Sequence, residues 1–144
     1  MAVKPVPEGY HTVTPYLMVR SAEPIIAFLV AAFDGRETER IPSASGGISH
    51  AEVQVGDSVI MIGEVSEPAA TMPAMLYLYL PDADAAYARA LRAGASSTQE
   101  PRNESYGDRT AAVRDAAGNQ WYLATHIEDM SAAEMARRAT SAHA

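Results

Sequence analysis

Few side chains in this chain combine a reactive type with a spacing that lets them act together. His50 and Glu52 come first. Residues i and i+2 of an extended segment point the same way, so imidazole and carboxylate would stand side by side. A carboxylate in an apolar recess, flanked by an imidazole, is suited to general acid–base work, and these two are the candidate catalytic residues. The plainer alternative is a structural hydrogen bond between them or to neighbours. His11 and His126 add two further imidazoles, and two imidazoles with a carboxylate would suit Zn²⁺ or Fe²⁺ if they converged. Cysteine is absent, which removes thiolate nucleophiles, disulfides and sulfur metal sites. No glycine-rich phosphate loop, serine nucleophile elbow or dinucleotide fingerprint occurs.

A second group is aromatic and thioether-rich. Met75, Tyr77 and Tyr79 alternate with Leu76, Leu78 and Leu80, so the two sets take opposite strand faces. Tyr16, Met18, Gln54, Met61 and Tyr122 take the same side by parity. Such a surface suits a flat, partly apolar organic ligand through stacking and sulfur–aromatic contact. The alternative is a solid core or a dimer seam. Two tyrosines on one strand face favour a half-open surface, because each buried hydroxyl would need a partner. In Tyr106-Gly107-Asp108-Arg109 the residue types fit a turn tied by Asp108–Arg109 or Arg109–Glu104 pairs. They also fit a rim where Arg109 meets an anionic ligand group. Arg114 reaches either the same side or the surface.

The elements that must hold these groups follow from pattern. Thr12–Val19 reads as a strand with Pro15 at an edge or bulge. Ser21 is placed to cap a helix in which Ile25, Phe28, Leu29, Ala32 and Phe33 form one apolar stripe, ended by Asp34-Gly35. Arg36–Ile41 is a candidate strand, and Ile48–Val55 with Ser58–Gly63 forms a hairpin about Gly56-Asp57. Glu64–Pro73 reads as a linker. Met75–Leu80 is a strand, and Asp82 caps a helix closed by Gly94. Ser96–Gln99 is a short strand and Glu100–Asp108 a loop. Arg109–Arg114 and Gln120–Thr125 make a hairpin around Asp115–Asn119, with Trp121 directed at a helix. Ser131 and Glu134 have capping-box spacing for a terminal helix, with the last half-dozen residues frayed.

These 144 residues suffice for one domain, and 48% apolar content with 20% charged is that of a globular one. The net charge of −7 argues against a nucleic-acid surface or a polybasic membrane contact. The longest apolar runs, such as Ile25–Ala32, fall far short of a bilayer span, and Met1–Pro7 has no signal-peptide core. A soluble cytoplasmic domain is the expectation. The two halves match at an offset of 61: Tyr16-Leu17-Met18-Val19 falls on Tyr77-Leu78-Tyr79-Leu80, and Ser21 on Asp82. Each half then reads strand, helix, three strands. Two such sheets can curve around a shared cleft, a usual place for a small ligand.

That order resembles the vicinal oxygen chelate superfamily of glyoxalases, extradiol dioxygenases and bleomycin- and fosfomycin-resistance proteins, and within it the PhnB-like group. Carrying the resemblance are Thr14-Pro15-Tyr16-Leu17, His50-Ala51-Glu52 before Gly56-Asp57-Ser58, Tyr106-Gly107-Asp108-Arg109, and Asp115-x-x-Gly118-x-x-Trp121 running on to Thr125-His126. The resemblance implies an α+β fold of two tandem βαβββ modules forming a curved mixed-sheet cup, commonly dimeric. The single domain would hold module one at about 12–64, module two at about 74–126 and a short helix at about 131–138. Metal-using members bind a divalent ion through His, Glu or Gln at four cup positions, which match Thr14, Met61, Met75 and Tyr122 here. None is a competent ligand, so no cofactor is expected, with an unusual divalent ion at His50 and Glu52 as the alternative. The resulting expectation is a metal-free homodimeric binder of an apolar or aromatic metabolite or antibiotic, through Tyr16, Gln54, Met61, Met75, Tyr77, Tyr79, Arg109 and Tyr122. The alternative is a lyase, isomerase or dioxygenase-type enzyme using Glu52 and His50; a third is an interaction module whose cup its own side chains close.

Overall fold

A computed structural model describes residues 2–142. Tyr16–Val19 (β1), Glu23–Phe33 (α1), Arg36–Pro42 (β2), Ile48–Val55 (β3) and Ser58–Glu64 (β4) make the first half. Met75–Tyr79 (β5), Ala83–Arg92 (α2), Ser96–Asn103 (β6), Asp108–Arg114 (β7) and Gln120–His126 (β8) make the second, and Ala132–Ala142 (α3) follows. The sheets are β1-β4-β3-β2 and β5-β8-β7-β6, each with one parallel pair, β1 with β4 and β5 with β8. The fold is α+β, two βαβββ modules each built on a four-stranded mixed sheet. Tyr16 pairs with Met61 and Tyr77 with Tyr122, so the offset of 61 holds in the register itself.

Alternation decides what each sheet buries. Ala51, Val53, Ile60 and Ile62 turn to α1 with Leu17 and Val19, and all are buried. Trp121 bridges the modules: its fully buried ring lies 5.5 Å from Phe33 and 6.3 Å from Phe28 of α1. Arg89 of α2 also donates to the Ala32 carbonyl at 3.0 Å. The indole N–H would be an orphan in this core, but Asp115 Oδ2 accepts it at 2.9 Å.

Five local expectations change. The strand expected from Thr12 starts at Tyr16; Pro15 lies outside it, although its carbonyl accepts Met61 N–H at 2.9 Å. Ser21 does not cap α1. Ala22 holds the cap position without a side-chain bond, and the Glu64 carboxylate accepts Ala22 N–H at 2.8 Å instead. Residues 100–103, expected in a loop, extend β6, with a pairing shift between Gln99 and Arg102 where Pro101 supplies no donor. Asp108, expected in that loop, opens β7, while residues 139–142 of the expected frayed end belong to α3 and 143–144 lie outside the described residues.

Candidate functional site

Each sheet turns its other face away from α1 and α2, and on each such face a polar cluster is built around one buried carboxylate. In module one it is Glu52, 5% exposed. Its Oε2 meets His50 Nε2 at 2.8 Å, and its Oε1 accepts the Tyr10 hydroxyl from the chain preceding β1. That bond, with burial and the Glu52 charge, pushes the Tyr10 phenol up to about 12. His50 Nδ1 lies 3.3 Å from the Tyr16 hydroxyl. With His50 Nε2–H donating to Glu52, the free Nδ1 lone pair accepts from Tyr16. Tyr10, Glu52, His50 and Tyr16 thus form one hydrogen-bonded series. Gly63 makes it possible, since a Cβ there would lie 2.7 Å from the Tyr16 hydroxyl oxygen.

The module-two cluster centres on Asp108, 2% exposed. Its Oδ2 accepts from Tyr77 at 2.7 Å and Tyr79 at 3.0 Å, and its Oδ1 meets His126 Nδ1 at 2.9 Å. Burial alone would raise this carboxyl, but the bonds from His126, Tyr77 and Tyr79 carry it below the usual range. His126 Nε2 meets Asp129 at 2.7 Å, and the bonds to Asp108 and Asp129 raise the imidazole. Burial, then the Tyr106 and Asp108 bonds, raise the Tyr77 phenol strongly. The preceding Gly107 has φ +97°, and a Cβ there would collide with the Glu128 carbonyl, so glycine is required to launch β7. Beside the cluster, Tyr77 lies parallel to Tyr122 within 9°, ring centroids 6.1 Å apart.

The expected site residues fall into three sets. His50, Glu52 and Tyr16 come together in module one, and Tyr77, Tyr79 and Tyr122 in module two, with Met75 exposed beside them. Met61 lines a separate cleft of about 420 Å³ beneath Pro5, Tyr10 and His11. Gln54 bends back to the Gly56 carbonyl at 3.0 Å. Arg109 is not at the rim. Its parity on β7 is opposite to that of Asp108, and it pairs with Asp84 of α2 at 2.6 Å and Asn103 at 3.0 Å. Neither turn-tying pair expected for it forms; Glu104 pairs with Arg102 instead. A cleft of about 540 Å³ opens where β5 passes the β3–β4 turn, lined by Pro15, Val55, Ile60, Leu76 and Tyr77 among others. Among the described residues no hydrogen bond joins the Glu52 and Asp108 clusters.

The sequence reading missed Tyr10, Asp108 and the His126–Asp108 pair. One signal was present: Asp108 shares strand parity with Thr110 and Ala112, which the register places on the same sheet face as Tyr77 and Tyr79.

The donor chemistry does not fit the superfamily's divalent ion. Threonine and tyrosine hydroxyls are weak donors and thioethers soft ones. Thr14 donates to the His11 carbonyl, and the Tyr122 ring is stacked. The imidazoles do not converge either. His11 lies on the Asp57 carbonyl, His50 on Glu52, and His126 between Asp108 and Asp129. Among the described residues no three His, Asp or Glu side chains gather as a metal-holding group. None of the described helices is long and apolar enough to cross a membrane.

A protein of Mycobacterium bovis, Mb0911c, described as uncharacterized, is 29% identical over 133 residues, 85% of this chain and 88% of its own. TioX from Micromonospora sp. ML1 superposes with a TM-score of 0.70 at 25% identity, covering 81% of this chain and 99% of TioX. The fosfomycin resistance protein FosX from Mesorhizobium loti shares the fold, with a TM-score of 0.60 at 21% identity over 86% of this chain and 95% of its own. Residues 10–123 match the Glyoxalase/Bleomycin resistance protein/Dioxygenase superfamily, and with the duplicated βαβββ architecture this match shows that the chain belongs to that superfamily.

Proposed function

We propose that the chain binds a flat, partly apolar organic molecule on the tyrosine–methionine face of β5 and β8, without the divalent ion that metal-using relatives employ. The observation that carries this is the state of those rings. Tyr79 is 65% and Met75 61% exposed, yet the Tyr77 and Tyr79 hydroxyls are anchored on Asp108. An exposed aromatic surface whose rings are already fixed loses little rotamer freedom when a ligand stacks on it. A metabolite or antibiotic held in the cytoplasm fits this role; the fosfomycin-resistance name of FosX lends support at the level of fold alone. A homodimer belongs to the same reading, since Tyr16, Met75 and Tyr79 leave both cluster faces open to a second copy. The test is calorimetric titration with a panel of planar aromatic compounds, with mass measured in solution. Saturable binding at one ligand per chain, without turnover and weakened by Tyr122→Ala, is expected; no binder across the panel overturns the reading.

The Tyr10–Glu52–His50–Tyr16 series favours a second reading, metal-free acid–base catalysis of a lyase or isomerase kind. There Tyr16 would face substrate, with His50 behind it and Glu52 orienting the imidazole. Glu52→Gln would abolish turnover of any substrate found while the fold is kept; unchanged turnover rejects this reading.

A further inference from the structure

We infer that the ligand of the β5–β8 face is an aromatic cation, a flat ring system bearing a protonated nitrogen, rather than a neutral or anionic arene. This rests on the reading of that face as a binding surface and specifies its ligand class. Each phenol has one hydrogen. Tyr77 and Tyr79 both commit theirs to Asp108 Oδ2, a carboxylate oxygen that only accepts. The Tyr106 hydroxyl, 3.2 Å from that of Tyr77, is then the donor of its pair. Neither tyrosine has a hydroxyl hydrogen left to offer a ligand, and the Tyr77 oxygen already accepts from Tyr106. The two half-exposed side chains can offer a ligand only acceptor oxygen, chiefly that of Tyr79, and ring faces. Ring faces carry the negative end of the aromatic quadrupole. Tyr77 lies parallel to Tyr122, and Tyr79 stands edge-on to Tyr77 at 5.4 Å between centroids, so the surface is broad.

Lone pairs, ring faces and a carboxylate behind them complement one kind of group, a cation with an N–H. A neutral arene gains stacking alone, and an anion meets acceptors. The surrounding charges agree. Asp108 and Asp129 flank a single imidazole, so that group stays negative even with His126 protonated. Arg102 is held by Glu104 at 2.8 Å. Arg114 shares the strand face, but at the other end of β7, about 20 Å along the strand and beyond a Debye length of about 8 Å.

Three probes of one shape separate the possibilities at about pH 7.5: 9-aminoacridine as the cation, acridine as the neutral ring and acridine-9-carboxylate as the anion. Titration of the wild-type chain is expected to give at least about tenfold tighter binding of 9-aminoacridine than of acridine, and no measurable carboxylate binding. The preference should shrink several-fold between about 20 mM and about 500 mM NaCl. Asp108→Asn, checked for folding by circular dichroism, should bring the cation and neutral affinities within about threefold. Equal wild-type affinities for acridine and 9-aminoacridine, or a preference for the carboxylate, overturn the charge assignment and leave the binding face standing. Failure of all three to bind removes the face as a flat-ligand surface and the inference with it.

Discussion

The Tyr77 hydroxyl donates to Asp108 Oδ2 at 2.7 Å although their strands are not neighbours, because β8 runs between β5 and β7. The register puts Ala124 of β8 between them, opposite Tyr79 and Thr110, and a methyl group is low enough to be crossed. Module one repeats the device. Tyr16 reaches over Gly63 of β4 to His50 of β3. Tyr16 and Tyr77 coincide under the offset of 61, and so do Gly63 and Ala124. In each half a tyrosine on the first strand thus reaches over a small residue to a polar group on the third. The two halves differ in what waits there, an imidazole in one and a carboxylate in the other.

Asp108 and His126 give stability two opposite pH dependences. The Asp108 carboxyl is lowered from 3.8, so its contribution is complete above that value and is lost as pH falls through the folded-state value. The His126 imidazole is raised from 6.5, so its contribution is complete below that value and is lost as pH rises through the folded-state value. Together they favour a stability maximum between about pH 4 and about pH 6.5. Melting temperatures across pH in wild type and His126→Gln check this: the variant should lose less stability than wild type between about pH 6 and about pH 8. An identical alkaline slope in both proteins would show that the pair adds nothing.

Glu64, rather than Ser21, holds the start of α1. Its Oε2 accepts Ala22 N–H at 2.8 Å and its Oε1 accepts Ile48 N–H at 3.0 Å, so one carboxylate ties β4 to both α1 and β3. Denaturant unfolding should show Glu64→Ala destabilised by about 2 kcal/mol, since two part-buried amides lose an acceptor. Ser21→Ala should cost under about 0.5 kcal/mol, being exposed and without a cap bond. The reverse order would restore the serine as the cap.

These two carboxylates mark where legibility in the sequence ends. Alternation and punctuation were enough for β3, β4, β5 and α2: the Leu/Tyr alternation from Met75, the Asp82 cap and Gly94 all act within one element. The His50–Glu52 pair was legible for the same reason, being i, i+2 on one strand. Glu64 meets Ala22 over 42 residues of chain, and nothing near Ser21 shows that a distant acceptor displaces it. Asp108 is similar. Its partners lie 31 and 29 residues before it and 18 after, while its immediate neighbours, Gly107 and Arg109, read as a turn. Arg109 was misplaced by the same ambiguity, because one residue of register decides which sheet face it takes.

Asp115 closes the β7–β8 turn and holds the central indole. Oδ1 accepts the Ala117 and Asn119 backbone N–H groups at 2.9 and 3.0 Å, and Oδ2 accepts Asn119 Nδ2 at 3.0 Å and Trp121 Nε1 at 2.9 Å. Replacement by alanine would strand the indole N–H and the buried Asn119 amide, at a cost of about 3 kcal/mol or more. Asp115→Asn keeps two acceptor lone pairs and should cost about half as much. Urea midpoints of the two variants order them, and near-ultraviolet circular dichroism of the lone Trp121 should lose intensity in the alanine form. An unchanged indole signal in Asp115→Ala would mean that Phe28 and Phe33 alone fix the ring.

The cluster chemistry also decides how the chain should respond to metal. A divalent ion that binds the native state raises apparent stability by mass action, by about 2.7 kcal/mol at a hundredfold excess over its dissociation constant. Thr14, Met61, Met75 and Tyr122, the residues that the resemblance matches to the superfamily's four ligand positions, provide no anionic or imidazole donor. His50 and Glu52 are in turn held by Tyr16, Tyr10 and each other. Chelator-treated protein should therefore melt at the same temperature with Zn²⁺, Fe²⁺, Mn²⁺, Ni²⁺ or Mg²⁺ as without, and purified protein should carry less than stoichiometric metal. Tyr10 gives a sharper version of the test. Tyr10→Phe frees Glu52 Oε1, so an ion that shifts only this variant would show that the phenol, not the donor set, keeps metal out. A stoichiometric ion that stabilises the wild type would move Glu52 and His50 from a hydrogen-bonded pair to a ligand pair, and put an enzyme with a divalent ion at that pair ahead of both the binding reading and the metal-free acid–base one.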